Sequence, residues 1–218
     1  RCDVWCPTQN GEASLAACSE AAGLPQTQCD VHKMHLGGGF GRRGAFQDYV
    51  TQAVLIAQEF PGTPIKLIWT REEDMTHGRY HPLTQCKLTA GIDDKGEITA
   101  VHIRLSGQSI LASAAPERLV NGADTAAFQT WLPGGEHSIS YSFPNLLIDH
   151  AVRQPHLLPG FWRGVNVNQN TIYMECFIDE LAHAIGKDPL ELRRSLMGKY
   201  PKNLAVLNAV AERGGWGT

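Results

Sequence analysis

The sequence lacks the features that mark several large classes of protein. No apolar run reaches the roughly 20 residues that a transmembrane helix needs. The 19 basic and 22 acidic residues nearly cancel and leave a net charge of -3. This balance favours neither a nucleic-acid groove nor a basic membrane-binding face, so we expect no nucleic-acid partner and no membrane-spanning segment.

Cysteine is also sparse, with six residues in a chain of 218. No C-x-x-C pair and no Cys/His cluster has the spacing of a zinc site. We interpret the six cysteines as small buried apolar side chains, although an even number also permits disulfides in an oxidising compartment. Cys2 and Cys6 are four residues apart, and in an extended chain they lie on one face but too far apart for a strain-free disulfide.

The composition that remains is that of a globular protein, with 43% hydrophobic and 19% charged residues. Residue patterns predict strands at 4–9, 29–36, 65–69, 83–92, 97–107, 137–141 and 146–152. They predict helices at 11–22, 46–60, 169–185, 188–197 and 204–212, and irregular connections at 71–82, 109–135 and 154–168. Strands alternate with helices early, pair as a hairpin in the middle and give way to helices late. This order favours an α+β fold of mixed sheets with packed helices, with a subdivision near 108–136.

A glycine-rich loop at 39–44 fits the pattern G-x-G-x-x-G between a predicted strand and a predicted helix. A dinucleotide-binding fold uses this pattern, but its central strand is nearly all apolar, whereas the strand here contains His32 and His35. Glycines let a ligand approach the backbone closely, and Arg42 and Arg43 add charge that suits oxyanions. A plain tight turn with two solvated arginines explains the same residues.

A second unusual segment spans 159–170 and contains Phe161, Trp162 and Arg163 before a predicted buried helix. Its amides and Arg163 can position a polar ligand at the start of that helix. The alternative is a structural loop that Phe161 and Trp162 anchor and that asparagine side chains cap.

Five segments, in order, resemble motifs of the molybdenum hydroxylases, the xanthine dehydrogenase and aldehyde oxidase family. They are 5–9 (W-x-P-T-Q), 37–41 (G-G-G-F-G), 71–75 (R-x-E-D-M), 163–169 (R-G-x-x-x-x-Q) and 187–194 (D-P-x-E-x-R-R). Residues 39–43 and 160–166 are similar to the isoquinoline 1-oxidoreductase beta-subunit type, a bacterial large subunit often called aldehyde dehydrogenase. Together the motifs cover nearly the whole chain.

The resemblance implies a molybdenum–molybdopterin cofactor, in its cytosine dinucleotide form, and the hydroxylation of an aldehyde or an N-heterocycle with water as the oxygen source. It implies a small partner subunit whose [2Fe-2S] clusters carry the electrons away, the remainder of the large subunit, and a cytochrome c acceptor. It also implies a periplasmic or membrane-associated location in bacteria, with a cytoplasmic location left open.

Site residues follow from the matched motifs. The cofactor-binding residues implied by the resemblance are Gln9, Gly38, Gly39, Phe40, Gly41, Arg163 and Gly164, and no side chain is expected to bind the metal directly. Arg79 and Val165 match positions near the substrate. Val165 stands where purine-binding relatives often carry an aromatic residue, which argues against a purine.

The family's catalytic glutamate lies in a G-E-x-G-x-P motif, and this motif does not occur here. We therefore expect residues 1–218 to be an internal fragment of the molybdopterin-binding region that is inactive alone; the start without Met and the glycine-rich end agree with this expectation. Two alternatives stay open. One is a cofactor-free scaffold or interaction module, and the other is a dinucleotide-binding oxidoreductase that uses the loop at 39–44.

Overall fold

The computed structural model describes residues 1–132, 138 and 140–217. The chain divides into two compact units: the first contains Arg1–His81 and Leu157–Val165, and the second contains Pro82–His156 and Asn166–Thr218. The stretch 108–136, where the sequence suggested a subdivision, lies inside the second unit. None of the described helices combines the length and the hydropathy that crossing a bilayer requires.

The first unit is built on two parallel strands joined by a helix. Strand β1 (Cys2–Cys6) pairs with β2 (Cys29–Lys33), and helix α1 (Gly11–Ala22) connects them. Asn10 caps α1 because its side chain accepts a hydrogen bond from the Ala13 N–H. Gly23 ends α1 in the left-handed conformation, at φ +64°. The buried core of this unit consists of Val4, Cys6, Cys18, Cys29, Val50 and Val54.

Three further helices follow in this unit: α2 (Arg42–Ala45), α3 (Asp48–Gln58) and α4 (Arg71–His77). The segment Leu157–Val165 returns to the unit through a parallel bridge between Tyr80 and Pro159. The Tyr80 N–H donates to Leu158 O at 3.1 Å, and the Gly160 N–H donates to Tyr80 O at 2.9 Å. These bonds tie together two parts of the chain that are about 80 residues apart in sequence.

Two predictions for this unit were wrong. Within the described residues, 65–69 forms no strand, because β1 pairs with β2 alone. Residues 63–71 instead line a cavity of about 880 Å³ together with β1. The connector predicted at 71–82 contains α4. Thr70 begins α4 by accepting a hydrogen bond from the Glu73 N–H, and Thr70-Arg71-Glu72-Glu73 has the capping-box pattern that predicts a helix start.

The second unit contains a three-stranded mixed sheet. Strands β3 (Thr84–Ile92) and β4 (Ile98–Gly107) form the predicted antiparallel hairpin, and after the short helix α5 (Ile110–Ala114), β5 (Leu146–Val152) pairs with β4 in parallel. Asp93 organises the hairpin turn, since its side chain accepts hydrogen bonds from the N–H groups of Lys95 and Glu97. Of the strand predicted at 137–141, residues 137 and 139 lie outside the described residues, and 138, 140 and 141 belong to no strand.

Helices α6 (Val167–Ile185), α7 (Pro189–Leu196) and α8 (Pro201–Arg213) complete this unit. Gly186, at φ +66°, ends α6, and Asp188 caps α7. The buried core combines residues of β4, α6 and α7 with Trp131 and Tyr141. Mixed sheets with packed helices confirm the predicted α+β class.

Helix α6 buries one face, which contains Asn170, Met174, Ile178, Leu181 and Ala182. Ile172 is 62% exposed and Cys176 is also exposed, because the buried face follows Asn170, Met174 and Ile178. The interpretation of the cysteines as buried side chains therefore fails for Cys176. It is confirmed for Cys6, Cys18 and Cys29, while Cys2 and Cys86 are half-buried.

Candidate functional site

The glycine loop after β2 packs directly against the end of β1. The Gln9 N–H donates to Arg43 O at 3.0 Å, and the Thr8 hydroxyl donates to the same oxygen at 3.2 Å. A Cβ atom at position 39 would lie only 2.1 Å from Gln9 Oε1. Glycine at position 39 is therefore required for the Gln9 carboxamide to lie where it does.

A buried hydrogen-bond network of Thr8, Ser14 and Gln47 supports this contact. Thr8 and Ser14 are buried. The Ser14 hydroxyl lies 3.0 Å from Thr8 Oγ1 and 2.6 Å from Gln47 Oε1. Because buried hydroxyls without partners are costly, this network holds the chain before Gln9 in one place relative to α1 and the start of α3.

The loop backbone adopts conformations that favour glycine. Gly38 has φ +113°, Gly41 has φ +75° and Phe40 itself has φ +48°. A Cβ at position 41 would lie 2.3 Å from Phe161 O, so the second unusual segment packs on the glycine loop. Within the described part of the chain, the N–H groups of Gly38, Phe40 and Gly41 donate no backbone hydrogen bond, which leaves them able to bind a ligand.

An exposed aromatic pair borders the loop. The rings of Phe40 and Trp162 lie 5.5 Å apart between centroids at an angle of 58°. Phe40 is 59% exposed and Trp162 is 37% exposed. The Trp162 indole N–H donates to Arg79 O at 2.9 Å, which holds the indole in place. The pair presents apolar surface beside backbone donors, an arrangement suited to a planar organic group.

Arg79 is held close to the same segment. Its guanidinium carbon lies 4.2 Å from the centroid of the Phe46 ring. A Cβ on Gly160 would come within 2.6 Å of Arg79 Cβ. Burial lowers the pKa of Arg79, as does nearby Arg42, while the Asp48 carboxylate acts in the opposite direction.

The turn at Arg163 is fixed on both sides. The Val165 N–H donates to Trp162 O at 2.7 Å, and a ring nitrogen of His81 lies 3.1 Å from Val165 O. Gly164 and Val165 both have positive φ values, of +83° and +51°. This turn leaves Arg163 exposed.

Arg42 does not have the role that the sequence suggested. It is only 9% exposed, and its guanidinium donates two hydrogen bonds to Asp48, of 2.6 and 2.8 Å. It also lies 4.1 Å from the centroid of the Trp69 ring, while Arg43 lies over Tyr49 at 4.3 Å. The charge of Arg42 is therefore neutralised within the protein, and neither arginine is a freely solvated side chain.

All nine residues predicted from the sequence lie in the first unit. The structure places Gln9 against Gly39 and the loop at 38–41 against the segment at 160–164. Arg79 packs against Gly160 of that segment, and Val165, which follows the segment directly, contacts His81. The helix that follows the loop is α2, which has four residues and is followed by a separate α3. A dinucleotide-binding loop opens a long helix, so this geometry does not favour that alternative.

Sequence reasoning missed Thr8 and Ser14, which position the loop, and it treated Phe161 only as an anchor of its own segment. Thr8 is part of the predicted motif at 5–9, but its contact with Ser14 depends on the packing of α1, which no local pattern shows. Among the described residues, no group of three or more His, Cys, Asp or Glu side chains has the arrangement of a metal site.

The start of α6, in the second unit, carries its own polar group. Asn170 is fully buried and donates to the carbonyls of Ala127 and Gln129 at 2.9 and 2.8 Å. Gln169, the last residue of the motif at 163–169, donates to Asn166 Oδ1 at 2.9 Å. Within the described residues, the side-chain oxygens of Gln169 and Asn170 are buried without a hydrogen-bond partner.

Comparison with known proteins identifies the family. The sequence profile of the molybdopterin cofactor-binding domain matches residues 1–197. The chain belongs to this family. Residues 1–197 are therefore a molybdopterin cofactor-binding region, as the resemblance of the five motifs implied.

Curated relatives agree with this assignment. Isoquinoline 1-oxidoreductase subunit beta of Brevundimonas diminuta is 26% identical over 220 residues, covering 98% of this chain and 27% of that protein. The protein named "Membrane-bound aldehyde dehydrogenase [pyrroloquinoline-quinone]" of Gluconacetobacter polyoxogenes is 27% identical over 93% of this chain and 28% of its own length. This molybdopterin-binding region thus spans little more than a quarter of either relative.

Solved structures show the same fold. Quinoline 2-oxidoreductase from Pseudomonas putida 86 matches with a TM-score of 0.73 and 18% identity, over 97% of this chain and 28% of that one. Aldehyde oxidoreductase from Desulfovibrio gigas matches with a TM-score of 0.69 and 17% identity, over 96% and 23%. At these identities the likeness establishes the fold alone.

Proposed function

We propose that this molybdopterin-binding region is part of the large subunit of an enzyme that hydroxylates an aldehyde or an N-heterocycle, with water as the oxygen source. The observation that carries the proposal is the close packing of Gly39 against the Gln9 carboxamide, with unpaired N–H groups beside it. This arrangement suits a group bound against the loop.

The residues present fit a molybdenum–molybdopterin group. The Gln9 carboxamide and the N–H groups of Gly38, Phe40 and Gly41 are neutral donors that can bind oxo or phosphate oxygens. Arg163 and Gly164 supply an exposed turn on the segment that packs on this loop. When bound, the group would supply oxygen transfer and the acceptance of two electrons, while the protein orients it and the substrate.

Side chains near the loop suit a planar or small carbonyl substrate. Phe40 and Trp162 offer apolar ring surface, and Val165 leaves a smaller side chain where an aromatic ring would stack on a purine. Arg79, held over Phe46, can orient a polar group of the substrate. These features support an aldehyde or an N-heterocycle other than a purine.

The wider assembly belongs to the same proposal. We infer a cytosine dinucleotide form of the cofactor, a small subunit carrying [2Fe-2S] clusters, the rest of the large subunit and a cytochrome c acceptor. One relative is named as a beta subunit and another as membrane-bound, which supports an assembly at the bacterial membrane or in the periplasm.

The first experiment compares two glycines of one loop in the complete subunit, coexpressed with its partner in a host that makes the cofactor. Gly39→Ala places a methyl group against Gln9 Oε1, whereas Gly37→Ala meets nothing within 4 Å and serves as the control. We expect Gly39→Ala to lower bound molybdenum at least about tenfold, equivalent to roughly 1.4 kcal/mol of binding. Gly37→Ala should keep its molybdenum, as measured by elemental analysis.

A second variant separates cofactor binding from folding. In Gln9→Ala/Gly39→Ala the steric conflict is relieved, so the midpoint of thermal unfolding should return towards that of the native protein. Molybdenum should stay low because the carboxamide is gone. A Gly39→Ala protein that is well folded and fully loaded would contradict the proposed site.

A second prediction concerns the 218 residues by themselves. We expect this chain, expressed alone in the same host, to bind little molybdenum and to show no hydroxylase activity, because the G-E-x-G-x-P segment is not among its residues. Elemental analysis and assays with aldehydes and N-heterocycles would test this. Stoichiometric molybdenum together with turnover would refute it.

A further inference from the structure

Three cysteines of the first unit lie together away from the glycine loop. Cys2 on β1 and Cys29 on β2 are directly paired residues of the two parallel strands. Cys18 projects from α1 into the same core, where it is fully buried, while Cys29 is buried and Cys2 half-buried. Cys6 is buried in the same core but lies at the other end of β1, and Cys86 and Cys176 belong to the second unit.

Small side chains allow α1 to approach the strands closely. The only buried residues of α1 are Ser14 and Cys18, one turn apart on the same face. Such a face lets the helix backbone approach the sheet, and a disulfide needs Cα atoms within about 7 Å. Cys18 and Cys29 lie in one buried core, and Cys2 packs against that core. The pKa of the Cys18 thiol is raised first by burial and then by the thiols of Cys2 and Cys29.

We propose that Cys2 and Cys18 are a thiol pair that oxidises to a disulfide and thereby ties β1 to α1. The oxidant is a small disulfide such as oxidised glutathione. The Cys2 thiolate attacks one of its sulfur atoms and releases one glutathione thiol. Cys18 then loses its proton, attacks the Cys2 sulfur and releases the second glutathione. Two protein thiols are oxidised by two electrons, and one small disulfide is reduced to two thiols.

Two observations select this pair over the alternatives. Cys2 is the one member of the group with substantial exposure, so it is the thiol that an oxidant can reach. Cys2 and Cys29 are held by the ladder between β1 and β2, which fixes their backbones, whereas Cys18 approaches from the helix. Because burial raises the pKa of Cys18, the second step is the slower one and should accelerate with increasing pH.

Peptide mapping can identify the bond directly. The native chain is incubated with oxidised glutathione, free thiols are blocked with iodoacetamide, and the protein is cleaved after glutamate. Cleavage at Glu12, Glu20 and Glu59 places Cys2 and Cys6 on 1–12, Cys18 on 13–20 and Cys29 on 21–59. We expect peptide 1–12 to be joined to peptide 13–20, with a mass that is two hydrogen atoms below the sum of the two separate peptides. Tandem fragmentation of this linked peptide should assign the bond to Cys2.

A matched pair of variants provides the control. Cys2→Ala should abolish the linked peptides, whereas Cys6→Ala, which removes the other thiol of the same peptide, should keep them. Cys18→Ala should leave Cys2 carrying glutathione, which shows that the first step still occurs. A bond to Cys29, or a native chain in which every cysteine stays singly modified after prolonged oxidation at alkaline pH, would overturn the proposal.

Discussion

Positions 42 and 43 carry identical side chains in different surroundings. Arg42 is buried against Trp69 and bonded twice to Asp48, whereas Arg43 lies over Tyr49 at the surface of the loop. The sequence shows two adjacent arginines and cannot distinguish them, because the contacts of Arg42 with Asp48 and Trp69 depend on the folded chain. By contrast, the sequence predicts that a ligand approaches the backbone at Gly39, and the structure shows the Gln9 carboxamide packed against that glycine.

Histidine 150 gives a prediction for pH dependence. Burial lowers the pKa of His150 below its usual value of 6.5, although the Gly107 backbone and the Asp124 charge act in the opposite direction. The unfolded chain therefore binds this proton more tightly than the folded one. The contribution of neutral His150 to the free energy of unfolding is therefore fully present above about pH 6.5, and it is lost as the pH falls below that value.

The measurement is urea unfolding at about pH 7.5 and about pH 5.5. His150→Gln should lose less stability between the two conditions than the native protein does. His183→Gln, which changes an exposed histidine of α6, serves as the control and should behave like the native protein. Equal losses in His150→Gln and the native protein would show that His150 does not contribute to the acid sensitivity.

At the scale of elements, local signals identified most of the helices and strands. The Asp93 turn located the hairpin, Gly186 ended α6, and Pro189 began α7. The strand predicted at 65–69 failed because a strand needs a partner, and the alternation of apolar residues does not show whether one is present. The capping-box pattern at 70–73 would have revealed α4.

The packing of α7 on α6 depends on one arginine. Arg193 donates to Glu175 Oε2 at 2.8 and 3.0 Å and to Asp179 Oδ1 at 2.6 Å, and its side chain is 14% exposed. Tyr141 donates to the same Glu175 carboxylate at 3.0 Å. Removing the guanidinium leaves two carboxylates of α6 without their main partner.

We expect Arg193→Ala to lower the free energy of unfolding by about 2 kcal/mol, because Arg193 is largely buried whereas its partners Glu175 and Asp179 are 36% and 58% exposed and their charges are screened by water. Arg194→Ala, one residue further along α7, removes a more exposed arginine paired with Glu191 and should cost less than about 1 kcal/mol. Urea unfolding of both variants gives the comparison. Similar losses in the two would show that the α6–α7 contact does not depend on Arg193.

Across the whole molecule, the two units have cores of different size. Six buried side chains form the core of the first unit, and fourteen form that of the second, among the residues that the structure describes. Because apolar burial is the main stabilising contribution, the first unit should open at a lower urea concentration than the second.

Native cysteines report this difference. Cys18 and Cys29 should become reactive to pulsed iodoacetamide at urea concentrations where the amides of β4 are still protected from hydrogen exchange. Mass spectrometry reads both signals in one sample. Coincident transitions would indicate that the two units unfold as one.

The candidate site was predictable only through its motifs. Gln9 and Gly39 lie 30 positions apart, and Tyr80 pairs with Pro159 across about 80, so no periodicity connects them. The resemblance to a family named the individual residues, and the structure shows how Thr8, Ser14 and Phe161 hold several of them together.

The bridge between Tyr80 and Pro159 also makes the first unit a candidate for protein engineering. The chain leaves this unit after His81 and returns at Leu157, and the hydrogen bond from Tyr80 N to Leu158 O places these two points side by side. Since the bridged segments run parallel, a linker from His81 to Leu157 has to run back along the bridge, and about five residues are long enough for this. A minidomain made of residues 1–81, such a linker and 157–165 would keep its six-residue core and both halves of the loop contact, in a size convenient for nuclear magnetic resonance.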